Sequence, residues 1–290
     1  MLYPCDQERI ERLRKDAIQP EISFQKYHLA FFRQYAKNTA LGDKLLRYAD
    51  AYAYALHTAP ISISPDEMIV GKTEGAFTPA EEQEYEELRP IWEDFTTKGG
   101  QNSHMAVDYD LLLEKGIVGI LALIEKKRAQ TSDPDKLAFY RCCSVCLQAV
   151  ADLSNRYAFH ASQLAEQESD PVRKAELKTL AEICHRVPRT PAKTFHEAVQ
   201  SVHFLTHCLS FDPYFLYALQ FQLGHPDRYL WKFYQNDLQS GRLSKETAQM
   251  LLDCLAIQIN RRVPHGLSSG YMVGGRDEAG NIVANDLTEM

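Results

Sequence analysis

Three histidines in one short segment are the first candidates for metal chemistry. His196, His203 and His207 lie at offsets that place them on one face of a helix, and the last two have the spacing of zinc-binding helices. However, Gln200 stands where H-E-x-x-H needs its second histidine, and the 203–207 pair lacks the glutamate that would act as base. We predict histidines that are packed or hydrogen-bonded within the fold and no metal site. A metal-dependent enzyme stays a weaker alternative.

The cysteines Cys142, Cys143 and Cys146 contain a C-x-x-C motif. Such motifs usually lie at a turn, and zinc sites need a second pair, whereas this one lies in a helical stretch without a second C-x-x-C. We interpret these residues as buried structural thiols. The glycines from Gly266 to Gly275 match neither dinucleotide nor phosphate-binding loops and are interpreted as turns. By these rules, the chain shows no catalytic set.

The composition argues against two classes of partner. The 290 residues include 32 Lys and Arg against 39 Asp and Glu, with a net charge of −7 and no basic cluster. This balance disfavours nucleic acid and anionic membranes as partners. No stretch of 18 apolar residues could span a membrane, and the first residues do not resemble a signal peptide. We expect a cytoplasmic protein with reduced thiols.

The hydrophobic pattern predicts a mostly helical chain. Asp170-Pro171 is a helix start with an N-cap and proline, and Thr194 with Glu197 forms a capping box. The predicted helices cover residues 109–128, 137–166, 171–187 and 195–209 and a stretch that begins at 244. We predict a short strand or extended piece at 61–64, an extended piece at 67–71, and a further helix that begins near Asn285. Residues 271–273 and 282–283 are predicted to form a hairpin or two short strands.

Gly116 and Gly119 lie inside the first of these helices. Each glycine there costs about 1 kcal/mol of helix stability relative to alanine. Because glycine has no side chain, another backbone can approach it closely. We therefore expect a close backbone contact at these positions.

Four segments occur in an order and with a spacing that one enzyme family shares. The first runs from Asp170-Pro171 through Val187-Pro188 to Thr194-Phe195 and Glu197-Ala198-Val199-Gln200. The second is His104-x-x-x-Asp108-Tyr109, and the third is Leu223-Gly224-x-x-Asp227-x-Tyr229-Leu230. The fourth is Val273-Gly274-Gly275-x-Asp277-x-x-Gly280, followed by Asn285 and Leu287-Thr288. The chain thereby resembles the N-terminal portion of the pyruvate formate-lyase domain of glycyl radical enzymes. The likeness covers most of residues 67–290, and the first 60 residues match only in helical character.

The resemblance implies one domain over residues 1–290, mostly α, as the N-terminal part of a ten-stranded α/β barrel wrapped in helices. It also implies a homodimer and anaerobic radical chemistry on a small-molecule substrate. In this family a separate iron–sulfur, S-adenosylmethionine-dependent activase makes a radical on a C-terminal glycine. The radical passes to a cysteine, whose thiyl form takes a hydrogen from the substrate. The chain itself is expected to bind no cofactor directly.

Neither radical residue has a match in this sequence. The Arg-Val-x-Gly-Tyr motif of the radical glycine is missing, and the cysteine loop matches none of Cys5, Cys142, Cys143, Cys146, Cys184, Cys208 and Cys254. We therefore expect a truncated segment that is inactive alone and poorly soluble or associating, because barrel strands would be unpaired. The alternative is a catalytically inactive helical scaffold or a remnant of the same fold.

The resemblance gives two substrate-binding candidates. In diol-dehydrating relatives the histidine that matches His104 lines the pocket and hydrogen-bonds the substrate, although a loop histidine that caps the next helix is the alternative. Those relatives also have a His-Ser pair where this chain has Leu219-Gln220. This departure argues against a glycerol-dehydratase-like substrate and makes Gln220 the second candidate. Whether the reaction is that of a lyase, a dehydratase or a formate acetyltransferase stays open.

Overall fold

The structure is a computed structural model that describes residues 6–18, 25–72, 76–93, 105–213, 221–262 and 271–290. Helices dominate these residues, as predicted from the sequence. The elements are α1 (Gln7–Ala17), α2 (Gln25–Lys37), α3 (Lys44–Thr58), α4 (Pro79–Glu93), β1 (Met105–Ala106), α5 (Tyr109–Arg128), α6 (Pro134–Gln167), α7 (Pro171–Arg186), α8 (Phe195–Leu209), β2 (Phe221–Gln222), α9 (Pro226–Tyr229), α10 (Trp231–Gln239), α11 (Lys245–Arg262) and α12 (Asp286–Glu289). Within these ranges, none of the helices has the length and apolar character needed to cross a membrane.

Side-chain caps fix where the central helices begin. Asp108, Asp133 and Asp170 each accept a hydrogen bond from a first-turn amide of α5, α6 and α7. Thr194 and Glu197 form the predicted capping box at the start of α8. Because first-turn amides have no partner within the helix, each cap stabilises its helix by about 1 kcal/mol.

A kink at Gly116 divides α5, which the sequence predicted as one continuous helix. Gly116 has φ 61°, and a Cβ atom there would lie 2.5 Å from the carbonyl carbon of Thr190. The amide of Ile117 donates to the carbonyl oxygen of Pro188 at 2.9 Å, so the chain after α7 runs directly against this point. The predicted backbone contact is confirmed at Gly116 and wrong at Gly119, whose nearest neighbour is a side chain of its own helix.

The strands of the described residues are short. β1 and β2 pair in parallel, with Met105 opposite Phe221. The predicted extended pieces at 61–64 and 67–71 form no regular strand in the described chain, and the backbone bends at residues 68 and 69. Near the end, Arg276 and Ile282 form an antiparallel bridge and Asn285 caps α12. The predicted final helix is therefore confirmed. A hairpin is present, but Val283 donates to Gly275, whereas Met272, in the predicted first strand, donates to Gly224 instead.

The core consists of two hydrophobic clusters that meet at α8. Phe204 and Cys208 belong to the cluster formed with α2, α3, α6 and α7. Phe195, Val199 and Val202 belong to the cluster formed with α10 and α11. A helix with core on both sides has little contact with water, so its polar side chains need partners inside the protein.

Candidate functional site

One face of α8 is hydrogen-bonded to the backbone of the irregular segment 68–72. The side chain of Gln200 accepts from the amide of Val70 and donates to its carbonyl oxygen, both at 2.8 Å. His196 Nε2 donates to the carbonyl oxygen of Met68 at 2.7 Å. Gln200 thus binds Val70 with the same pair of bonds that a neighbouring β-strand would supply.

The next histidine of the face continues this pattern. His203 Nε2 donates to the carbonyl oxygen of Gly71 at 2.6 Å. Gly71 has φ 117°, a backbone angle that residues with side chains rarely adopt, and a Cβ atom there would make a tight contact of 3.2 Å with the His207 ring. Because a carbonyl oxygen only accepts, the bonded ring nitrogen carries a proton and is not free for a metal. Histidines bonded within the fold were the prediction, and this is what the structure has.

Burial keeps two histidines of this region uncharged. His196 is partly buried between α8 and the segment, and its loss of hydration lowers its pKa to about 4, although the bond to Met68 acts in the opposite direction. His28 of α2 lies 3.0 Å from the carbonyl oxygen of Ser210, and burial likewise lowers its pKa to about 4. Both side chains are therefore neutral at pH 7 and act as hydrogen-bond donors to backbone.

A buried charged cluster holds the preceding turn. Arg9 of α1 forms a two-bond ion pair with Glu176 of α7, at 2.8 and 2.9 Å. Arg173 also contacts Glu176 at 2.8 Å, and it donates to the carbonyl oxygens of Ser64 and Glu67 at 2.9 and 3.0 Å. The cluster thus joins α1, α7 and the turn at residues 64–67.

Glu67 is the least expected member of this turn. Its side chain is 1% exposed, accepts from the amide of Ser64 at 2.9 Å and lies 3.5 Å from Lys72 Nζ. Burial raises the pKa of Glu67 to about 7, against the opposing effects of Lys72 and of the Ser64 amide. Sequence reasoning missed this group. The only available signal was that Arg173 and Glu176 fall within the segment that resembles the known family.

Asp227 connects two of the other segments that carry the resemblance. Its Oδ2 accepts from the amide of Gly274 at 2.6 Å and from Thr288 Oγ1 at 2.7 Å. The side chain of Asn285 donates to the carbonyl oxygen of Asp227 at 2.9 Å. Like the Asp108 cap and the Gln200 pair, these residues position backbone and do not form a catalytic set.

The cysteines that the structure describes lie in helices α6, α7, α8 and α11. Burial raises the pKa of Cys142 to about 11 and that of Cys184 to about 12, so both thiols are protonated at neutral pH and are poor nucleophiles. The interpretation as buried thiols is confirmed at Cys142, whereas Cys143 and Cys146 are partly exposed. Cys5 lies outside the described residues.

The two substrate candidates, His104 and Gln220, also lie outside the described residues. Each is followed in the sequence by a residue of the short parallel sheet, Met105 or Phe221, and these two residues are register partners. The alternative role for His104, capping of the next helix, is performed by Asp108, which accepts from the third amide of α5 at 2.9 Å.

Comparison with known proteins identifies the family. The family model described as "Pyruvate formate lyase-like" matches residues 86–290. Isethionate sulfite-lyase of Nitratidesulfovibrio vulgaris is 34% identical over 201 residues, which are 62% of this chain and 24% of that protein. (2S)-3-sulfopropanediol dehydratase of Klebsiella oxytoca is 29% identical over 203 residues, which cover 64% of this chain and 24% of that protein.

Solved structures agree with this assignment. A glycyl radical enzyme from Archaeoglobus fulgidus superposes with a TM-score of 0.84 at 25% identity, covering 97% of this chain and 45% of that one. The glycerol-bound glycerol dehydratase from Clostridium butyricum also superposes with a TM-score of 0.84, at 21% identity, and shares the fold. This superposition covers 99% of this chain and 45% of that one. The chain thus matches about a quarter of the curated relatives' length and less than half of the solved structures. It belongs to the pyruvate formate lyase-like family of glycyl radical enzymes.

Proposed function

We propose that this protein is a glycyl radical lyase or dehydratase that cleaves a carbon–heteroatom bond of a small hydroxylated molecule. The observation that carries the proposal is the match to isethionate sulfite-lyase, at 34% identity within a family match that covers residues 86–290. The relatives' names include a sulfite-lyase and two dehydratases of hydroxylated substrates, which supports this reaction class. A formate acetyltransferase reaction is the less supported member of the same family.

The radical, in this proposal, is carried by residues that this sequence does not match. It is installed on a glycine by an iron–sulfur, S-adenosylmethionine-dependent activase, and it supplies the abstraction of a hydrogen atom from the substrate. The six described cysteines lie in helices with no motif match to the radical cysteine. The chain, on this view, contributes framework and part of the pocket and is inactive alone. A cytoplasmic homodimer completes the proposal.

His104 and Gln220 are the proposed substrate-binding residues. An imidazole and a carboxamide both hydrogen-bond hydroxyl and sulfonate oxygens. Two observations support a shared pocket: Met105 and Phe221, which follow the candidates in the sequence, are register partners, and the helix cap is supplied by Asp108. Substitution of His104 by alanine should then raise KM or lower kcat without changing the radical yield.

The proposal is tested with the protein from its complete reading frame. After anaerobic treatment with an activase, S-adenosylmethionine and a reductant, electron paramagnetic resonance should detect a glycyl radical. The activated protein is then offered isethionate, 2,3-dihydroxypropane-1-sulfonate, trans-4-hydroxy-L-proline and glycerol, and sulfite and carbonyl products are measured. We expect a radical and turnover of at least one compound other than glycerol. No radical under conditions that activate a glycerol dehydratase control would contradict the proposal.

One observation favours the alternative of an inactive scaffold or remnant. The described residues that carry the family resemblance, such as Asp108, Gln200 and Asp227, all have structural contacts that need no chemistry. Sequencing the transcript past the codon for Met290 separates the two ideas. A frame that continues through a cysteine loop and a radical glycine motif supports the enzyme, and a stop codon directly after Met290 supports the scaffold.

A further inference from the structure

Helices α6 and α7 form a groove on the surface that faces away from the core. The groove has a volume of about 1010 Å³ and a floor of small side chains that includes Ala158 and Ala181. Phe159 lies at its edge with 66% of its surface exposed. An exposed aromatic ring beside a groove with small residues is typical of an interface anchor, in which the ring fills a partner's pocket.

On the α7 side of the groove the charged residues change sign along the helix, from Lys174 and Lys178 to Glu182, while Glu166 of α6 and His185 also line the groove. Lys178 and Glu182 are exposed, line the groove and are one helical turn apart on α7. The buried or partly buried ion pairs of α7 in the described chain are made by Arg173, Glu176 and Arg186 instead. Lys178 and Glu182 are therefore available to a partner, one with each sign.

Phe159 is level with the midpoint of this charge pair. Ser154 of α6 donates to the carbonyl oxygen of Cys184 of α7 at 2.7 Å, which sets the height of one helix against the other. The helices are antiparallel, and both rise about 1.5 Å per residue. Phe159, five residues beyond Ser154, is therefore level with residue 179 of α7. The aromatic ring lies at the centre, and the charges lie on either side of it.

We propose that this groove is the contact between two copies of the chain, related by a two-fold axis near Phe159. The two-fold rotation makes the α7 helices of the two copies antiparallel, so Lys178 of each copy faces Glu182 of the other. Each Phe159 then packs at the centre of the interface, over the small residues of the other copy. A two-fold interface requires such a self-complementary surface. A partner of one charge sign would instead meet a like charge at one end. The inference rests on the proposed homodimer and assigns it a surface.

Sedimentation equilibrium of the full-length protein tests the central contact. Phe159→Asp should raise the dimer dissociation constant at least 100-fold, because a charge would be buried at the axis. Phe139→Asp is the matched control, since Phe139 lies on the same helix, is 53% exposed and does not line the groove. Both rings are exposed, so far-ultraviolet circular dichroism should be unchanged in both variants. The Tm should be unchanged for Phe139→Asp and lower for Phe159→Asp, because dissociation of the dimer removes the stabilisation that association supplies. A monomeric wild type, or a Phe159→Asp protein that dimerises like the control, overturns the proposal.

Charge reversal tests the two-fold arrangement itself. Lys178→Glu or Glu182→Lys alone places like charges opposite each other in both halves of the dimer, and each should weaken it about tenfold. The double variant should regain the wild-type dissociation constant. A mixture of the two single variants should form heterodimers, because opposite charges then face each other twice. Failure of both the double variant and the mixture to recover rejects the assigned surface.

The radical measurement keeps this inference separate from the proposed function. If the Phe159→Asp protein is monomeric and still acquires the glycyl radical, the interface is confirmed and the proposed function is unaffected. A dimer that behaves as expected but acquires no radical contradicts only the function.

Discussion

Replacing Gln200 by methionine tests whether α8 holds the segment 68–72 through side-chain hydrogen bonds. Methionine has a similar length but cannot bond to the backbone of Val70, a residue with 0% exposure. The N–H and C=O groups of Val70 would then be buried without these partners. An unsatisfied buried polar group costs about 1–3 kcal/mol. For the two groups, we expect the free energy of unfolding to fall by about 2–5 kcal/mol.

Urea denaturation measures this loss, and hydrogen exchange of the peptide that contains Val70 locates it. Gln148→Met is the matched control, because Gln148 is exposed on α6 and donates only to Asp152. Surface substitutions of this kind usually change stability by no more than about 0.5 kcal/mol. A loss below about 1 kcal/mol for Gln200→Met, with a Val70 amide that still exchanges slowly, would refute the role of Gln200.

Three further substitutions test other parts of the framework. Burial raises the pKa of Glu67 from 4.5 to about 7, so the folded protein retains a proton that the unfolded chain has released. The free energy of unfolding should fall by about 3 kcal/mol as the pH rises through this window, and Glu67→Gln should flatten that part of the pH profile. Gly116→Ala should cost roughly 3–5 kcal/mol in urea denaturation because its Cβ meets Thr190, whereas Gly224→Ala, also at positive φ but in open space, should cost about 1 kcal/mol. Asp227→Ala should cost about 2–4 kcal/mol and speed limited proteolysis within residues 271–290, and unchanged cleavage would contradict its role.

Local signals in the sequence predicted the helix boundaries well. Asp170 and Thr194 cap helices where the sequence placed them, because an N-cap acts on amides only two or three residues away. Gly116 signalled a close approach, but a missing side chain does not say which backbone approaches or that the helix kinks. The alternation of Ile61 and Ile63 predicted a short strand or an extended piece. No regular strand forms there, and the segment that follows is bound by side chains of α8 instead of by a neighbouring strand.

Contacts between distant parts of the chain could not be predicted in this way. Gln200 and Val70 are 130 residues apart, and Arg9 and Glu176 are 167 apart. A lone glutamine or arginine in a sequence does not identify such a partner, so the charged cluster and the pKa of Glu67 were missed. The histidines were correctly interpreted for a negative reason, the glutamine within their pattern. The structure adds the positive reason, which is that Gln200 belongs to the same row of backbone contacts.

The contacts of the shared residues explain why the family is easy to identify and the substrate is not. Asp108 caps a helix, Gln200 holds the segment 68–72, and Asp227 fixes the last hairpin, so each is needed whatever molecule the protein binds. Relatives named for isethionate, sulfopropanediol and hydroxyproline match the chain at similar identities of 29–34%, as expected if the shared residues form a common framework. Specificity must then depend on positions outside that framework. Gln220, where the sequence departs from the diol-dehydrating pattern, is the position at which we expect a substitution to change the substrate and leave the fold unchanged.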